Sequence, residues 1–222
     1  MVKIALFNNK GGVGKSTATI NIAHAMTRLG KFVLVVDCDS QQNTFSFFAN
    51  MPVEENGCFE QTRYENLDIV FGSDITIERH IKGILTNNEY DYVIFDLPPA
   101  LDERTRAIVS KCDYVFVPFE LGKFAIQGIA KVTEAIAITG VNFGGCFVNK
   151  FDRENPTAYE LNELLRKTLG EKVMSTKIPS SRVIKNSIDY RMTAFEYMEW
   201  MEAVGAYTEL TKEIMTICRE VE

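Results

Sequence analysis

A glycine-rich segment near the amino terminus carries two lysines and two hydroxyl side chains. Its residues are Lys10, Gly11, Gly12, Val13, Gly14, Lys15, Ser16 and Thr17. An apolar run from Ile4 to Phe7 precedes them, which is typical of a strand that leads through a turn into a helix. Such a turn exposes backbone amides in one concavity, and the helix amino terminus adds a partial positive charge. The segment therefore predicts a nucleotide site in which residues 11–17 cradle the phosphates.

Two side chains of this loop have the chemistry that a bound nucleotide needs. The Lys15 ammonium can reach the terminal phosphates, and the Ser16 hydroxyl can bind the Mg²⁺ that accompanies them. The segment departs from the strict Walker A spelling at two places. That spelling has glycine where this chain has Asn9, and it does not require Lys10.

The spelling Lys-Gly-Gly-x-Gly-Lys-Ser/Thr resembles the deviant Walker A motif of the ParA/MinD family of ATPases. The resemblance implies that ATP and Mg²⁺ join two subunits into a homodimer. It also implies that Lys10, together with Lys15, is catalytic, because Lys10 reaches across the interface to the partner's nucleotide. The alternative is a glycine-rich turn with incidental lysines, which the strand-loop-helix context does not favour.

Two carboxylates, Asp37 and Asp39, follow the apolar run from Phe32 to Val36. The carboxyl ends of parallel strands are where ligands bind in an open sheet, so both would point towards the phosphates. The resemblance extends to the family's Asp-x-Asp-Pro-Gln motif, which implies that Asp37 supports the metal and that Asp39 orients the attacking water. Ser40 stands where the family has proline. The alternative is a solvated turn after a strand.

A third carboxylate, Asp96, closes the apolar run from Tyr92 to Phe95. An aspartate in this position is the Walker B arrangement, in which the carboxylate holds Mg²⁺ through its water shell. Asp96 is followed by Leu97, Pro98 and Pro99, and this Asp-x-Pro-Pro spelling resembles the family's second switch. The predicted metal residues are therefore Ser16, Asp37 and Asp96.

Base recognition is less clear, because residues 149–152 spell the Asn-Lys-x-Asp by which GTPases read guanine. In the ParA/MinD family an asparagine at the end of the equivalent strand contacts adenine. The resemblance favours ATP, with Asn149 at the base and the segment 178–182, which includes Pro179, closing over it. The GTPase interpretation would instead use Asp152.

The pattern of the chain predicts one α/β domain, residues 1–222, with a doubly wound, mostly parallel sheet and helices on both faces. This is the fold of P-loop NTPases of the deviant Walker A class. The predicted strands are Lys3–Asn8, Phe32–Asp37, Leu67–Phe71, Tyr92–Asp96, Tyr114–Pro118, Val141–Asn149 and Val173–Ile178. The predicted helices are Ser16–Leu29, Ile75–Thr86, Arg104–Ser110, Ala125–Thr139, Thr157–Leu169 and about Phe195–Val221.

Composition excludes several classes of protein. With 222 residues, 46% of them hydrophobic, the chain can bury one sizeable core, and no run approaches the length of a membrane span. The five cysteines form no CxxC pair, and the two histidines are isolated, so we expect neither a zinc site nor disulfides. We expect a cytoplasmic protein, in the short form that lacks an amino-terminal helix-turn-helix.

Charge is unevenly distributed along the chain. The net charge is −6, which argues against coating DNA by bulk attraction. The segment 166–191 is nevertheless basic, with two acidic residues against the basic residues Arg166, Lys167, Lys172, Lys177, Arg182, Lys185 and Arg191. ParA ATPases bind DNA without sequence preference through this region, so the resemblance implies DNA contacts by Arg182, Lys185 and Arg191. The alternative is a solvated helical face.

The resemblance implies a ParA-type ATPase that partitions or positions a DNA element, with a small DNA-binding protein as its activating partner and with nucleoid association in the ATP-bound state. A MinD-like membrane ATPase would need a basic carboxyl-terminal helix, but residues 197–222 carry six glutamates against Lys212 and Arg219. Their apolar positions predict packing against the core: Met201, Val204, Leu210, Ile214, Ile217 and Val221. A cargo-positioning ATPase that acts on a protein partner without DNA is the alternative.

Overall fold

An eight-stranded sheet organises the chain, with the strand order β3-β4-β2-β5-β1-β6-β7-β8. The computed structural model describes residues 1–49, 59–72, 89–122 and 124–219. The strands are β1 (Val2–Leu6), β2 (Val33–Asp37), β3 (Phe59–Gln61), β4 (Leu67–Phe71), β5 (Tyr92–Asp96), β6 (Tyr114–Phe119), β7 (Asn142–Phe151) and β8 (Val173–Pro179). Short β3 pairs antiparallel with β4, and every other pairing is parallel. The mostly parallel sheet predicted from the apolar runs is confirmed.

Helices cover both faces of this sheet. Those described are α1 (Lys15–Arg28), α2 (Asn43–Phe48), α3 (Glu103–Val109), α4 (Ala125–Ala137), α5 (Pro156–Leu169), α6 (Arg182–Asp189), α7 (Ala194–Tyr197) and α8 (Glu202–Arg219). Successive strand residues point to opposite faces, so each strand contributes to two cores. Ile4 and Val35 join the core under α1 and α8, whereas Ala5 and Val36 join the core under α3, α4 and α5. The doubly wound arrangement follows from this alternation.

The carboxyl ends of the central strands form the edge from which the candidate site is built. β1 ends at Leu6, two residues earlier than predicted, because the chain then turns into the glycine-rich loop. The buried Asn8 side chain fixes that exit, since its Nδ2 donates to the carbonyl of Pro118 at 2.8 Å and its Oδ1 accepts from the amide of Lys10 at 2.9 Å. The loop is thus attached to β6 at its first residues.

The carboxyl-terminal helix is not continuous, contrary to the prediction of one helix from about Phe195 to Val221. Short α7 ends at Tyr197, and Met198 has an extended backbone (φ −162°, ψ 80°) that no helix can continue. The chain starts a new helix, α8, at Glu202, which packs on β8 and α1. The start of α7 has its own cap, since the Thr193 hydroxyl accepts a hydrogen bond from the amide of Glu196.

Burial along α8 mostly agrees with the predicted core contacts. Val204, Leu210 and Ile214 are buried, and Ile217 is partly buried against the same core. Met201 is 42% exposed, because it lies before the helix begins. The prediction for Val221 lies outside the described residues.

A side chain of α8 satisfies two backbone amides of β8, the last strand of the sheet. Both Glu213 carboxylate oxygens accept hydrogen bonds from consecutive β8 amides, Oε1 from Ser175 at 2.6 Å and Oε2 from Thr176 at 3.1 Å. Consecutive amides of a regular strand point to opposite edges, but here the pairing of β7 with β8 shifts register between Val173 and Lys177. Glu213 therefore supplies the acceptors that this irregular stretch of β8 lacks.

Four cysteines are described, and all are buried and free: Cys38, Cys112, Cys146 and Cys218. Cys58, His80 and the predicted helix Ile75–Thr86 lie outside the described residues. His24 is half-buried beside Tyr64 and Phe195, and partial burial lowers its pKa to about 4. None of the helices that can be described has the length and apolar character needed to cross a bilayer.

Candidate functional site

The glycine-rich loop connects β1 to α1 with two residues in the left-handed region of backbone space. Gly12 has φ 77° and Gly14 has φ 85°. A side chain at Gly14 is also excluded by space, because a Cβ there would lie 2.4 Å from Nδ2 of Asn149. Glycine is required at this position for both reasons, since other residues rarely adopt this φ.

A cavity of about 520 Å³ lies in front of this loop at the start of α1, and we refer to it as the phosphate cavity. Its walls include most of the residues that the sequence assigned to the phosphates and to catalysis: Gly11, Gly12, Gly14, Lys15, Ser16, Thr17 and Asp39. Asp39 is half-buried, and its Oδ1 accepts the amide of Gln41 at 3.0 Å, which closes a tight turn. The structure thus brings the loop and the residue assigned to the attacking water onto one cavity.

Asp37 and Asp96 form a buried acidic pair at the edge of the sheet. They are register partners on the neighbouring parallel strands β2 and β5, so their backbones lie about 4.8 Å apart. Burial, and then the charge of Asp96, raise the pKa of Asp37 to about 7. The amides of Phe45 (2.8 Å) and Asp39 (3.0 Å) oppose this rise by donating to its carboxylate. Two adjacent buried carboxylates are both ionised at neutral pH only with a cation nearby, since otherwise one of them holds a proton more tightly.

Asp96 is the carboxylate of this pair with a free acceptor oxygen among the described residues. Its Oδ2 accepts a hydrogen bond from Oγ1 of Thr44 at 2.6 Å, whereas its buried Oδ1 has no partner among the described residues. Burial raises the pKa of Asp96, and the bond from Thr44 opposes that rise. A buried carboxylate oxygen without a partner fits the outer shell of a bound Mg²⁺. In the described part of the chain no three His, Cys, Asp or Glu residues form a metal cluster, so such an ion would also need oxygens from the nucleotide.

Lys15 supplies a buried positive charge at this site. Its side chain is 8% exposed, and burial lowers its pKa, while the charges of Asp96 and Asp39 act in the opposite direction. An ammonium that is largely removed from water gains most from a strongly charged ligand. Lys15 is therefore suited to bind phosphate oxygens.

A second cavity, of about 470 Å³, continues from Gly14 and Thr17 towards β7 and α6. Asn149 and Pro179, which the sequence assigned to the base, both lie in its wall, and we refer to it as the base cavity. Asp152 is absent from the described walls of either cavity, and its Oδ1 accepts the amide of Glu154 at 3.0 Å. Asp152, the residue that would read guanine, thus lies outside the described walls of the base cavity.

Lys10 lies apart from the cavity formed by its own loop. It is exposed and lines a separate hollow of about 290 Å³, together with Phe119, Glu120 and Gly128. The cavity in front of Lys15 has no contribution from Lys10 among its described walls. Lys10 is therefore available to a second molecule rather than to the nucleotide of its own chain.

The basic residues between 166 and 191 do not form one surface. Strand β8 separates them by about 20 Å, with Arg166, Lys167 and Lys172 at its amino end. Arg166 donates to the carbonyl of Met174 at 2.9 Å, and Lys172 lies over the ring of Phe143 at 5.9 Å. The single stripe that the sequence suggested is thus two groups at opposite ends of β8, with Lys177 on the strand between them.

The three residues assigned to DNA belong to the group beside the nucleotide cavities. Arg182 and Lys185, on α6, are exposed and line the base cavity. Arg191 lines the phosphate cavity, and its guanidinium donates to the carbonyls of Ser46 and Ala49. The residues assigned to DNA therefore lie beside the two cavities that hold the residues assigned to the nucleotide.

Sequence reasoning missed three residues that shape the site. Thr44 holds Asp96, and Lys150 donates to the carbonyl of Gly12 at 2.6 Å while it pairs with Glu120 at 2.5 Å. Thr44 had a weak signal, since a threonine shortly after two aspartates can start a helix. Lys150 was visible only as part of the guanine motif, and Glu120 had no signal.

Comparison with known proteins gives a consistent family and fold. The family described as the CobQ/CobB/MinD/ParA nucleotide binding domain matches residues 4–194. Among curated relatives, the chromosome-partitioning ATPase Soj of Thermus thermophilus is 29% identical, over 98% of this chain and 97% of that protein.

Two solved structures share the fold over the whole of this chain. The septum site-determining protein MinD of Pyrococcus horikoshii, in complex with Mg-ADP, has a TM-score of 0.79 at 17% identity and is covered over 98% of its length. The cobyrinic acid a,c-diamide synthase of Mycobacterium smegmatis, with an ATP analogue and magnesium, has a TM-score of 0.78 at 18% identity and is covered over 97%. At such identities the likeness concerns the fold alone, and proteins of different activity share it.

Proposed function

Because the chain belongs to the CobQ/CobB/MinD/ParA nucleotide-binding family, we propose that it is a Mg²⁺-dependent ATPase of the ParA type. In this proposal, ATP joins two copies into a dimer that partitions or positions a DNA element, and hydrolysis separates them. The likeness to a chromosome-partitioning ATPase over nearly the whole length of both chains supports this activity over that of a small-molecule synthase. A small DNA-binding protein would be the activating partner.

One observation carries the proposal: buried Asp96, side by side with buried Asp37, lies within electrostatic range of buried Lys15, which lines the phosphate cavity with the glycine-rich loop. A passive anion site would not need two carboxylates near phosphates, because they would repel the ligand. A site for a nucleotide with its Mg²⁺ needs both signs of charge. The arrangement therefore supports binding of a metal-nucleotide complex rather than of a free phosphate.

Each residue has one role in this proposal. The amides of the loop and the Lys15 ammonium bind the phosphates, while Ser16, Asp37 and Asp96 hold the Mg²⁺, which neutralises phosphate charge when bound. Asp39 orients a water for in-line attack on the γ-phosphate. Preorganised charge of this kind accelerates phosphoryl transfer chiefly by electrostatic stabilisation.

Lys10→Ala tests the dimer. Lys10 lies outside the phosphate cavity of its own chain, so we expect the variant to bind ATP with parental affinity, remain monomeric and hydrolyse ATP at background rate. Light scattering with ATP gives the mass, and equilibrium binding of a fluorescent ATP analogue gives the affinity. Lys167→Ala, at an exposed lysine on α5, is the matched control and should dimerise normally. A normal ATP-dependent dimer of Lys10→Ala would refute the action of Lys10 across an interface.

The proposed DNA-binding surface includes two exposed basic residues of α6. Arg182 and Lys185 are exposed on α6, close to the nucleotide, so dimerisation would present two copies of each on one assembly. Two weak contacts on one duplex bind more tightly than one, because the second becomes intramolecular. ATP would then switch DNA binding on, and hydrolysis would release the protein from the nucleoid.

Retention of arbitrary duplex DNA by the ATP-bound protein tests this surface. We expect retention that requires ATP and falls with salt on a log-log slope of about −0.9 per phosphate contact. Arg182→Ala and Lys185→Ala should each reduce the slope in magnitude, by about 1 per chain, with ATP affinity measured in parallel because both residues line the base cavity. Lys167→Ala, from the other basic group, should leave the slope unchanged.

Absence of DNA retention at low salt would favour the alternative, an ATPase that positions a protein cargo. The net charge of −6 and the division of the basic residues into two groups favour that alternative. Both functions use ATP hydrolysis and Lys10 in the same way. The DNA-retention test therefore distinguishes them when it is made with protein that forms the ATP-dependent dimer.

A further inference from the structure

Two neighbouring side chains at the end of β7 donate to consecutive carbonyls of the phosphate loop. Nδ2 of Asn149 lies 2.7 Å from the carbonyl oxygen of Val13, and Nζ of Lys150 lies 2.6 Å from that of Gly12. The Asn149 bond is buried, whereas the Lys150 side chain is half-exposed. The loop is therefore attached to β7 at two adjacent peptide groups.

The direction of these bonds decides where the loop amides point. The C=O and N–H of a trans peptide group lie on opposite sides, so a carbonyl held towards β7 turns the amide of the next residue away from it. Holding the carbonyls of Gly12 and Val13 thus orients the amides of Val13 and Gly14. An anion-binding concavity requires carbonyls turned outwards and amides turned inwards.

Lys150 adopts an unusual backbone conformation in making this contact. Its φ is 52°, in the left-handed region that lysine rarely occupies, and its amide donates to Oδ1 of Asn149 at 3.0 Å. Such a conformation persists only where surrounding contacts determine it, and it is frequent at functional sites. The side-chain amide of Asn149 is thus used in two loop-forming bonds.

Glu120, just beyond the end of β6, fixes the other side of the ammonium. Its Oε1 lies 2.5 Å from Nζ of Lys150, so one ammonium connects β6, β7 and the loop. Lys150 also lines both the base cavity and the phosphate cavity. Its position between them allows it to act on the loop from outside the phosphate-binding concavity.

We propose that Lys150, together with Asn149, is a positioning residue that preorganises the amides of the phosphate loop for the β-phosphate of a nucleoside di- or triphosphate. The ligand in this inference rests on the proposed function. The ordering of the loop does not, because both bonds join atoms of this chain and involve no ligand atom. Asn149 thereby has a second role, besides the contact with adenine that its place in the base cavity suggests.

Hydrogen-deuterium exchange of the nucleotide-free protein tests the ordering directly. Lys150→Met removes the donor at similar length, and we expect about tenfold faster exchange of the peptide that covers residues 8–17, with parental exchange in α8. Lys172→Met is the matched control, since Lys172 also donates to a strand carbonyl, that of Phe143 at 3.3 Å, but far from the loop. Parental exchange of residues 8–17 in Lys150→Met would overturn the proposal whether or not the protein hydrolyses ATP.

Two further variants distinguish positioning from a merely structural role. Lys150→Arg keeps a charged donor and should largely restore protection. Lys150→Gly removes the donor but relieves the left-handed backbone, so the free energy of unfolding should be unchanged or higher while the loop loses protection. If Lys150→Gly protects residues 8–17 as the parent does, the side chain has no positioning role.

Binding measurements address the ligand. Lys150→Met should bind ATP and ADP about tenfold more weakly and AMP with parental affinity, because only the first two place a β-phosphate in the loop. Equal weakening for all three nucleotides would contradict an effect through the loop amides. Absence of nucleotide binding by the parent would refute the proposed function, while the exchange experiment would still test the ordering of the loop.

Discussion

Replacing Lys15 by alanine is expected to reduce ATP affinity by at least about a hundredfold and to abolish turnover. Lys15 is the buried ammonium in front of the loop, where low exposure strengthens its attraction to phosphate oxygens. Its removal also leaves buried Asp96 and half-buried Asp39 without the positive charge of this side chain. Titration calorimetry with ATP and Mg²⁺, and a phosphate-release assay, measure the two effects.

The fold must be checked separately in this variant, since Lys15 is more buried than an exposed polar loop would suggest. Urea unfolding of the parent and of Lys15→Ala without nucleotide gives the difference in stability. Lys31→Ala, at a lysine of the α1–β2 turn, is a control for loss of one positive charge. Parental ATP turnover by a folded Lys15→Ala protein would show that the nucleotide does not bind in this cavity.

Asp39→Ala is expected to separate binding from hydrolysis. The variant retains Ser16, Asp37 and Asp96 for the metal, so ATP should bind with near-parental affinity. Turnover should fall by at least about a hundredfold, because the attacking water loses the group that orients it. The ATP-bound dimer should then accumulate, and size-exclusion chromatography with light scattering after incubation with ATP measures its fraction.

Asp152→Ala provides the matched control for that experiment. Asp152 is an exposed aspartate whose carboxylate caps a local turn away from both cavities, so its loss should change neither turnover nor dimer fraction. The same variant examines base choice, since a guanine-reading Asp152 would be needed for GTP binding. Hydrolysis by Asp39→Ala at the parental rate would exclude this carboxylate from catalysis.

Much of the site could be predicted from the sequence because its residues depend on local signals. The glycine-rich loop, Asp37 and Asp96 each follow an apolar strand, and strands β4 and β5 have the bounds that β-branched and apolar residues predict. Parallel strands meet at their carboxyl ends, so residues far apart in the chain were expected on one edge. The sequence does not show that Asp37 and Asp96 are register partners, because this pairing depends on which strands lie side by side in the sheet.

Elements that depend on long-range contacts were missed. Helix α2, with the sequence NTFSFF, has poor helix formers, yet it forms because Phe45 and Phe48 are buried against the sheet and because the amide of Phe45 bonds to Asp37. Helix α6 is not among the predicted helices, although Ser181 caps its first turn; only its first residue, Arg182, falls in the segment 178–182 that is predicted to close over the base. The bond from Asn149 to Val13 joins residues 136 positions apart, which no local pattern encodes.

The carboxylate of Glu213 over the β8 edge bears on how large an assembly this protein can build. An uncovered edge strand is a template for the addition of further strands, which yields fibres rather than pairs. At Ser175 and Thr176 an incoming strand would find the amides already bonded, and its carbonyl oxygens would meet a negative charge. Glu213 therefore disfavours strand addition at the middle of β8. In the proposed function a dimer forms and dissolves with each nucleotide, and open-ended growth at a sheet edge would oppose that reversibility.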